Sequence, residues 1–250
     1  MVSEGRSVLV TGASRGIGAA TARAFAEAGD RVAVNYSSSP SSAEEVLRSL
    51  AGQGHVLAPA DLADPVAVRE MVDRVAVAMG GVDVLVNNAG IYTPHEILEV
   101  SYEQWQQAWS ETLAVNLFGA ANVTWCAVRH MGNGGRIVNV GSRGAFRGEP
   151  RHPAYGASKA ALTAFGQSLA RALGPRRIAV TTVAPGWTET DMSSIALDGP
   201  DGERRRQESP LGRAAYPQEL ARAIVYLASP EAEYATGAVL DFNGASYLRI

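Results

Sequence analysis

The 250-residue sequence contains a single cysteine, Cys126, so no intrachain disulfide can form and a reducing, cytoplasmic setting is expected. Long apolar runs are also missing: glycine interrupts the N-terminal apolar stretch too early for a signal peptide, and no segment approaches the length of a membrane span. The formal net charge is -3 and no basic stripe occurs, which argues against an electrostatic nucleic-acid binder. The sequence therefore predicts a cytoplasmic protein with neither a membrane nor a nucleic-acid partner.

Lysine is almost absent as well, because Lys159 is the only lysine among 22 basic residues. It follows Tyr155 by one helical turn in the stretch AYGASKAA (154–161), so both side chains are expected on one helix face. A cation beside a phenol favours the phenolate and lowers its pKa. Lysine, unlike arginine, is a compact ammonium that can bind ribose hydroxyls and pass protons. The pair therefore predicts acid–base chemistry near neutral pH, the alternative being a chance lysine on a solvated face.

Histidine and serine give no sign of a metal centre or of a hydrolase. The four histidines show neither triad nor metal-ligand spacing, so no metal site is expected. Ser142 ends an apolar run, but Val140 stands where the nucleophile elbow of a hydrolase requires glycine. Ser142 is therefore interpreted as a hydroxyl that orients a carbonyl.

Short apolar runs alternate along the chain with segments of helical period. The apolar runs predict seven strands over 7–10, 31–36, 55–60, 82–90, 136–142, 178–186 and 238–242. Helices are predicted over 17–28, 42–50, 65–79 (capped by Asp64), 102–131, 154–173 and 217–228. Strands this apolar are covered on both faces, so we predict an α/β fold: one Rossmann-type, doubly wound parallel-sheet domain over residues 1–250. The long irregular stretch 187–216 is expected to be a substrate lid.

The stretch TGASRGIG (11–18) joins the first strand to the first helix. Gly12 permits a tight turn, and Gly16 and Gly18 let backbone N–H groups approach a pyrophosphate. A glycine-rich turn can be purely structural, but its place between first strand and first helix favours a dinucleotide site. The remaining turn residues expected at the cofactor are Ser14, Arg15 and Ile17.

The end of the second strand indicates which dinucleotide binds. Folds that bind NAD usually place an acidic residue there for the ribose 2′-hydroxyl, and VNYSSS (34–39) has none. Ser37 and Ser38 can donate to a 2′-phosphate, and Arg15 can reach it from the glycine turn. We therefore predict NADP(H), the alternative for Arg15 being a solvated loop arginine.

Several separated motifs together resemble the short-chain dehydrogenase/reductase family over nearly the whole chain. They are the glycine turn, NNAG (87–90), Asn116, Ser142, the Tyr155/Lys159 pair and PGWTET (185–190), in the family's order and approximate spacing. The resemblance implies that Tyr155 protonates a carbonyl that Ser142 positions. It implies that Lys159 lowers the pKa of Tyr155 and holds the nicotinamide ribose, and that Asn116 anchors a proton-relaying water.

The same resemblance implies a set of cofactor contacts. Asp61 is expected at the adenine, Asn88 and Gly90 as walls of the groove, and Pro185, Gly186 and Thr190 on the nicotinamide side, with Leu62, Ala89 and Thr188 as further contacts. Asp61 could instead only start a turn, and Asn116 could bond within its own helix. Asn87 and Asn88 are expected to bond the backbone between strands.

Within the family, the C-terminal half looks most like the 3-oxoacyl-(acyl-carrier-protein) reductases. This implies NADPH-dependent reduction of a carbonyl, with a carrier-bound 3-oxoacyl thioester as one candidate. The alternatives are an NADP-dependent dehydrogenase of a sugar, polyol, steroid or specialised-metabolite alcohol, and a cofactor-binding sensor or scaffold. The family also implies a homotetramer assembled through the helices 102–131 and 154–173.

Three arginines between Ser142 and Tyr155 border the expected substrate side. Arg143, Arg147 and Arg151 are expected in a solvated loop, the alternative being recognition of a carboxylate or phosphate.

Overall fold

The computed structural model describes residues 5–249, and its centre is one seven-stranded sheet. The strands are β1 (Ser7–Val10), β2 (Arg31–Tyr36), β3 (Val56–Pro59), β4 (Val84–Asn87), β5 (Arg136–Val140), β6 (Ala179–Pro185) and β7 (Val239–Phe242). They pair in parallel in the order β3-β2-β1-β4-β5-β6-β7. This is the doubly wound parallel sheet that the sequence predicts.

Ten α-helices connect and cover these strands within residues 5–249. They are α1 (Gly16–Glu27), α2 (Pro40–Arg48), α3 (Pro65–Met79), α4 (Tyr102–Leu113), α5 (Ala120–His130), α6 (Gly144–Arg147), α7 (Pro153–Leu173), α8 (Asp191–Leu197), α9 (Gly202–Arg206) and α10 (Pro217–Leu227). The predicted cap of α3 is confirmed, since the Asp64 carboxylate accepts from the N–H groups of Val66 and Ala67.

The core lies on both faces of the sheet because successive strand side chains point to opposite sides. In β1, Val8 and Val10 pack on one face with Phe25 of α1, whereas Leu9 packs on the other with Met71 of α3. All five side chains are completely buried. Burial of such a side chain contributes about 1.5–3 kcal/mol, which explains why strands with no polar alternation are stable here.

The order of the strands reverses at β1, which has β2 on one side and β4 on the other. The connections leave β1 and β4 in opposite directions, so a crevice opens beyond their carboxyl ends. The glycine turn follows β1 and the NNAG motif follows β4, which places both motifs at this crevice.

Two predicted segments differ from the structure. The stretch 187–216 was expected to be irregular but contains α8 and α9, and Thr190 and Ser193 form a capping box that starts α8. The predicted helix 102–131 is divided by a π-helical turn, Ala114–Gly119, between α4 and α5. One extra residue in a helical turn leaves no change in the apolar pattern strong enough to be detected from the sequence.

Candidate active site

A cavity of about 460 Å³ opens at the carboxyl ends of the central strands. It is lined by Gly12, Ser14, Arg15, Gly16, Ile17, Gly18, Ser37, Ser38, Asp61, Leu62, Asn88, Ala89, Gly90, Ser142, Tyr155, Lys159, Pro185, Gly186, Thr188 and Thr190. These are all the predicted site residues except Asn116, which is fully buried behind the lining at Gly90. Side chains that are far apart in the sequence therefore share one cavity.

The glycine turn forms one end of this cavity. Gly12 (φ 61) and Gly16 (φ 55) have left-handed backbone conformations that disfavour any residue with a Cβ. A Cβ on Gly18 would lie 2.3 Å from the carbonyl oxygen of Gly12. The constraint on Gly18 is therefore the close packing of α1 against the turn, in addition to the predicted approach to a ligand.

Three polar side chains hold the glycine turn in place. Asn35 Oδ1 accepts from the N–H of Gly12 at 3.0 Å, and Asn88 Nδ2 donates to the carbonyl of Thr11 at 2.8 Å. The Thr11 hydroxyl in turn accepts from the N–H groups of Asn88 and Ala89 at 2.9 and 3.0 Å. The expectation that Asn88 bonds the backbone is confirmed. Sequence reasoning missed Thr11 and Asn35, although a polar residue at the end of each buried strand was the available signal.

The side chain of Asn87 forms different hydrogen bonds from that of Asn88. Its amide donates at 2.9 Å to the hydroxyl of Thr124 and to the side-chain oxygen of Asn139. The prediction that Asn87 bonds the backbone between strands is therefore wrong, because its side chain lies between β5 and α5 and finds polar side chains there.

The cradle fits the pyrophosphate of a dinucleotide. Gly12 and Gly16 present no side chain, and α1 begins at Gly16 with no acidic residue in its first turn, so its N-terminus favours an anion. Arg15 is exposed and lines the same cavity as Ser37 and Ser38. Asp61 lines the cavity and also starts a turn, since its carboxylate accepts from the N–H of Ala63 at 2.9 Å.

Tyr155 and Ser142 both line the other end of the cavity, where the Ser142 hydroxyl acts on the phenol. Burial raises the pKa of Tyr155 to about 12; the hydrogen bond with Ser142 opposes this shift and the charge of Glu149 adds to it. The sequence-based expectation was a lowered pKa, so the structure departs from it: desolvation of the phenol outweighs the favourable groups. Tyr155 is therefore protonated at neutral pH and can act as a proton donor.

Lys159 lies on the same face of α7 as Tyr155, with its ammonium 5.7 Å from the centre of the phenol ring. Nζ donates to the carbonyl of Val140 at 2.8 Å, at the end of β5. Burial lowers the pKa of Lys159 to about 8. The amine can thus change its charge close to neutral pH, which suits a group that passes protons.

Asn116 lies in the π-helical turn and joins two parts of the site. Its Oδ1 accepts from the N–H of Ile91 at 2.8 Å, and its Nδ2 donates to the Ile91 carbonyl at 3.1 Å and to the Ser158 hydroxyl at 3.2 Å. A Cβ on Gly90 would lie 3.3 Å from Asn116 Oδ1 and 3.5 Å from Lys159 Nζ. Glycine at position 90 therefore lets both side chains approach the segment after β4.

Tyr92 and His152 form a pair of stacked rings next to Tyr155. Tyr92 meets Tyr155 edge to face, with ring centres 4.7 Å apart, and stacks on His152 at 3.5 Å. Burial lowers the pKa of His152 to about 4, so its ring is neutral at neutral pH. His95 is also buried, and its Nε2 accepts from the N–H of Ala154 at the start of α7. These residues fix the position of the Tyr155 ring.

Paired charges lie near Tyr155, and we call Arg143, Arg147, Glu149 and Glu208 the charged wall. The first three of these residues line the cavity, and Glu208 pairs with both arginines. Arg143 is buried and donates to Glu208, which also accepts from Arg147 at 3.2 Å. The expectation of solvated arginines is therefore wrong for Arg143, since the chain near α9 folds back and covers it. Of the three arginines between Ser142 and Tyr155, Arg151 alone lies outside the cavity. Its side chain is 61% exposed and pairs with Glu96.

Residues 5–249 contain no group of histidine, cysteine, aspartate and glutamate that could hold a metal ion. No helix in that range is both long enough and apolar enough to cross a membrane.

Comparison with known proteins identifies the chemistry of such a cavity. The protein family described as enoyl-(acyl carrier protein) reductase matches residues 12–244. The 3-oxoacyl-[acyl-carrier-protein] reductase of Vibrio cholerae is 37% identical, covering 98% of each chain. Versicolorin reductase of Emericella nidulans is 35% identical, over 98% of this chain and 96% of the relative.

Solved structures agree with these relatives. A short-chain dehydrogenase from Burkholderia cenocepacia in complex with NADP superposes with a TM-score of 0.90 and 39% identity, over 97% of this chain and 98% of that one. A blue fluorescent protein from a metagenomic library in complex with NADPH superposes with a TM-score of 0.87 and 34% identity. The match covers 98% of this chain and 99% of that one.

The fold and the cavity are those of a dinucleotide-dependent oxidoreductase with a doubly wound sheet. More narrowly, the chain belongs to the short-chain dehydrogenase/reductase family. It is an enzyme that acts on C=O and CH–OH groups, which sets aside the alternative of a sensor or scaffold without turnover.

Proposed function

We propose that the protein reduces a carbonyl to a secondary alcohol with NADPH. The observation that carries this proposal is that Ser142, Tyr155 and Lys159 line the same cavity as the glycine turn. NADPH bound in that cavity supplies the hydride for the carbonyl carbon. Ser142 orients the carbonyl oxygen, and Tyr155, protonated because burial raises its pKa, donates the proton to that oxygen.

The preference for NADP(H) over NAD(H) rests on the end of β2. Arg15, Ser37 and Ser38 supply donors for a 2′-phosphate, and no acidic side chain stands there to bind a 2′-hydroxyl or to repel the phosphate. The NADP and NADPH complexes among the similar structures support the same choice.

Lys159 and Asn116 complete the proposed path for protons. Lys159 holds the nicotinamide ribose and returns a proton to Tyr155 after each turnover. Asn116 anchors the path from the buried side, because its amide lies next to Gly90 and its neighbour Ile91. The low pKa of Lys159, about 8, makes its ammonium a ready proton donor.

A short 3-oxoacyl thioester is the first substrate that we propose, because several relatives are 3-oxoacyl-[acyl-carrier-protein] reductases. A second candidate is the same chemistry on a polar alcohol or ketone of the sugar, polyol, steroid or specialised-metabolite class. Arg143, Arg147 and Glu149 of the charged wall favour this candidate, since they line the cavity and give a polar substrate hydrogen-bonding groups.

We further propose that the enzyme is a cytoplasmic homotetramer whose single domain closes residues 187–216 over the substrate. Phe118 and Trp125, 59% and 55% exposed, lie on the long helical segment expected at the subunit interface. Sedimentation velocity tests this proposal, and a monomer at micromolar concentration would contradict it.

The test of the proposed function is oxidation of NADPH with a short 3-oxoacyl thioester, with NADH compared in parallel. Turnover that requires NADPH supports both the cofactor and the reaction. Tyr155→Phe should bind NADPH and remain folded but lose at least about a hundredfold in kcat. Unchanged turnover of this variant would refute the mechanism.

A further inference from the structure

The charged wall contains two cations and two carboxylates, so its net charge is zero. Arg147 lies between the carboxylates: its Nη1 is 3.2 Å from Glu208 Oε2 and its Nε is 3.6 Å from Glu149 Oε1. Both arginines of the wall are already paired with carboxylates. Because these charges neutralise one another, the wall gives no net attraction to a charged substrate and favours a neutral one.

Glu149 is held more loosely than Glu208, the other carboxylate of the charged wall. Its side chain is only 11% exposed, and it accepts one hydrogen bond, from the Tyr92 hydroxyl at 3.3 Å, while Arg147 Nε lies 3.6 Å away as an ion-pair partner. A carboxylate offers about four acceptor positions. The Tyr92 hydroxyl fills one of them, and the side chain lines the cavity that contains Tyr155, where a ligand can reach the others.

The chain makes room for this carboxylate. A Cβ on Gly144 would fall 2.5 Å from Glu149 Oε1, and one on Gly156 would fall 3.5 Å from Glu149 Cβ. Glycine at 144 therefore allows the carboxylate to sit next to the segment that follows Ser142. The charge of Glu149 also acts on Tyr155, where it raises the pKa of the phenol. Glu149 is consequently close to the reacting group as well as to the cavity.

We propose that Glu149 determines substrate specificity by accepting a hydrogen bond from a hydroxyl group of a neutral, hydroxylated ketone. The inference rests on the proposed carbonyl reduction and names the substrate class of the same cavity. A hydroxyl fills one of the vacant acceptor positions of the carboxylate. A methyl group of the same size would instead cover the carboxylate and give it no donor, which is unfavourable for a half-desolvated charge.

The experiment compares two ketones that differ by this one group, 4-hydroxybutan-2-one and pentan-2-one, in the NADPH oxidation assay. For the wild type we expect kcat/KM to be about thirtyfold higher for the hydroxyketone. Glu149→Gln should reduce that ratio to about threefold, because a neutral amide oxygen is a weaker acceptor. The ratio between substrates cancels any general loss of activity, so a purely structural effect would not change it.

Two further variants sharpen the result. Glu96→Gln is the matched control, since Glu96 pairs with Arg151 outside the cavity, and it should keep the wild-type ratio. If Glu149→Gln does not fold, Glu149→Asp replaces it in the test. Glu149→Asp keeps the charge but shortens the side chain, so it should also lower the ratio.

A ratio near one in the wild type, or an unchanged ratio in the folded Glu149 variants, overturns the inference. Reduction of the 3-oxoacyl thioester with no turnover of either ketone also overturns it, while leaving the proposed function intact. Absence of NADPH oxidation with every carbonyl tested refutes the proposed function itself, which is a distinguishable result.

Discussion

Nε2 of His95 accepts a hydrogen bond from the backbone N–H of Ala154, 3.1 Å away, in the first turn of the helix that carries Tyr155 and Lys159. Nδ1 of the same ring lies 2.8 Å from the carbonyl oxygen of Thr93, which fixes a neutral imidazole with its proton on Nδ1. A buried ring thus supplies the acceptor that a helix N-terminus lacks. His95 is therefore a positioning residue for α7.

Replacement of His95 should destabilise the fold. We expect His95→Ala to lower the free energy of unfolding by about 3 kcal/mol, because it leaves a buried N–H without an acceptor and removes a buried ring. Chemical denaturation measures the loss. His130→Ala is the control, since His130 lies at the end of α5 in a partly exposed pair with Asp73 and should cost less than about 1 kcal/mol. Equal losses in the two variants would contradict this role for His95.

Lys159 should make stability depend on pH in a specific direction. Burial lowers the pKa of Lys159 from 10.5 to about 8, so between these values the unfolded chain binds more protons than the folded one. Stability from this group therefore rises as the pH increases through that window. Relative to Lys159→Met, the wild type should gain about 3 kcal/mol of unfolding free energy between pH 7 and pH 10. A difference that does not change with pH would show that the lysine is not desolvated.

Glu208 should hold the segment 187–216 against the cavity. Its carboxylate accepts from Arg143, Arg147 and the Trp187 indole, and its removal leaves Arg143 buried without an anion. We expect Glu208→Ala to cost about 3 kcal/mol and to speed proteolytic cleavage within 187–216. Glu203→Ala on α9 is the control, because its partner is only the exposed side chain of Gln207. Cleavage at the wild-type rate in Glu208→Ala would refute this contact as the one that closes the segment.

Arg15 should make the protein bind NADPH more tightly than NADH. We expect Arg15→Ala to raise the Kd for NADPH about tenfold and to leave the Kd for NADH unchanged, since only NADPH carries the 2′-phosphate. Titration of cofactor fluorescence measures both constants. Arg23→Ala, on the exposed side of α1 where Arg23 bonds Ser49, should change neither. A similar weakening of NADH and NADPH would mean that Arg15 does not contact the 2′-phosphate.

The sequence predicts the parts of this protein that rest on local patterns. Apolar runs identify all seven strands, and Asp64-Pro65 marks the start of α3, because burial and helix capping act within a few residues. Contacts between distant segments give no such signal. Nothing near Arg143 indicates that Glu208 will cover it, and nothing near His95 indicates a bond to Ala154.

The sequence likewise did not predict the direction of the pKa shift of Tyr155. The spacing of Tyr155 and Lys159 predicts their shared helix face, but the sign of the pKa shift depends on how deeply the phenol is buried. Burial is a property of the whole assembled fold, so a local argument from the lysine alone gives the wrong direction.

The bonds from Asn35, Thr11 and Asn88 to the glycine turn have a consequence for the energetics of cofactor binding. A loop that is already held in shape loses little conformational entropy when a ligand arrives, so more of the interaction energy appears as affinity. The cofactor end of the cavity is in this sense pre-organised, whereas at the substrate end we propose that the segment 187–216 opens and closes. We therefore expect release of the product alcohol, rather than ordering of the glycine turn, to limit the rate of the catalytic cycle.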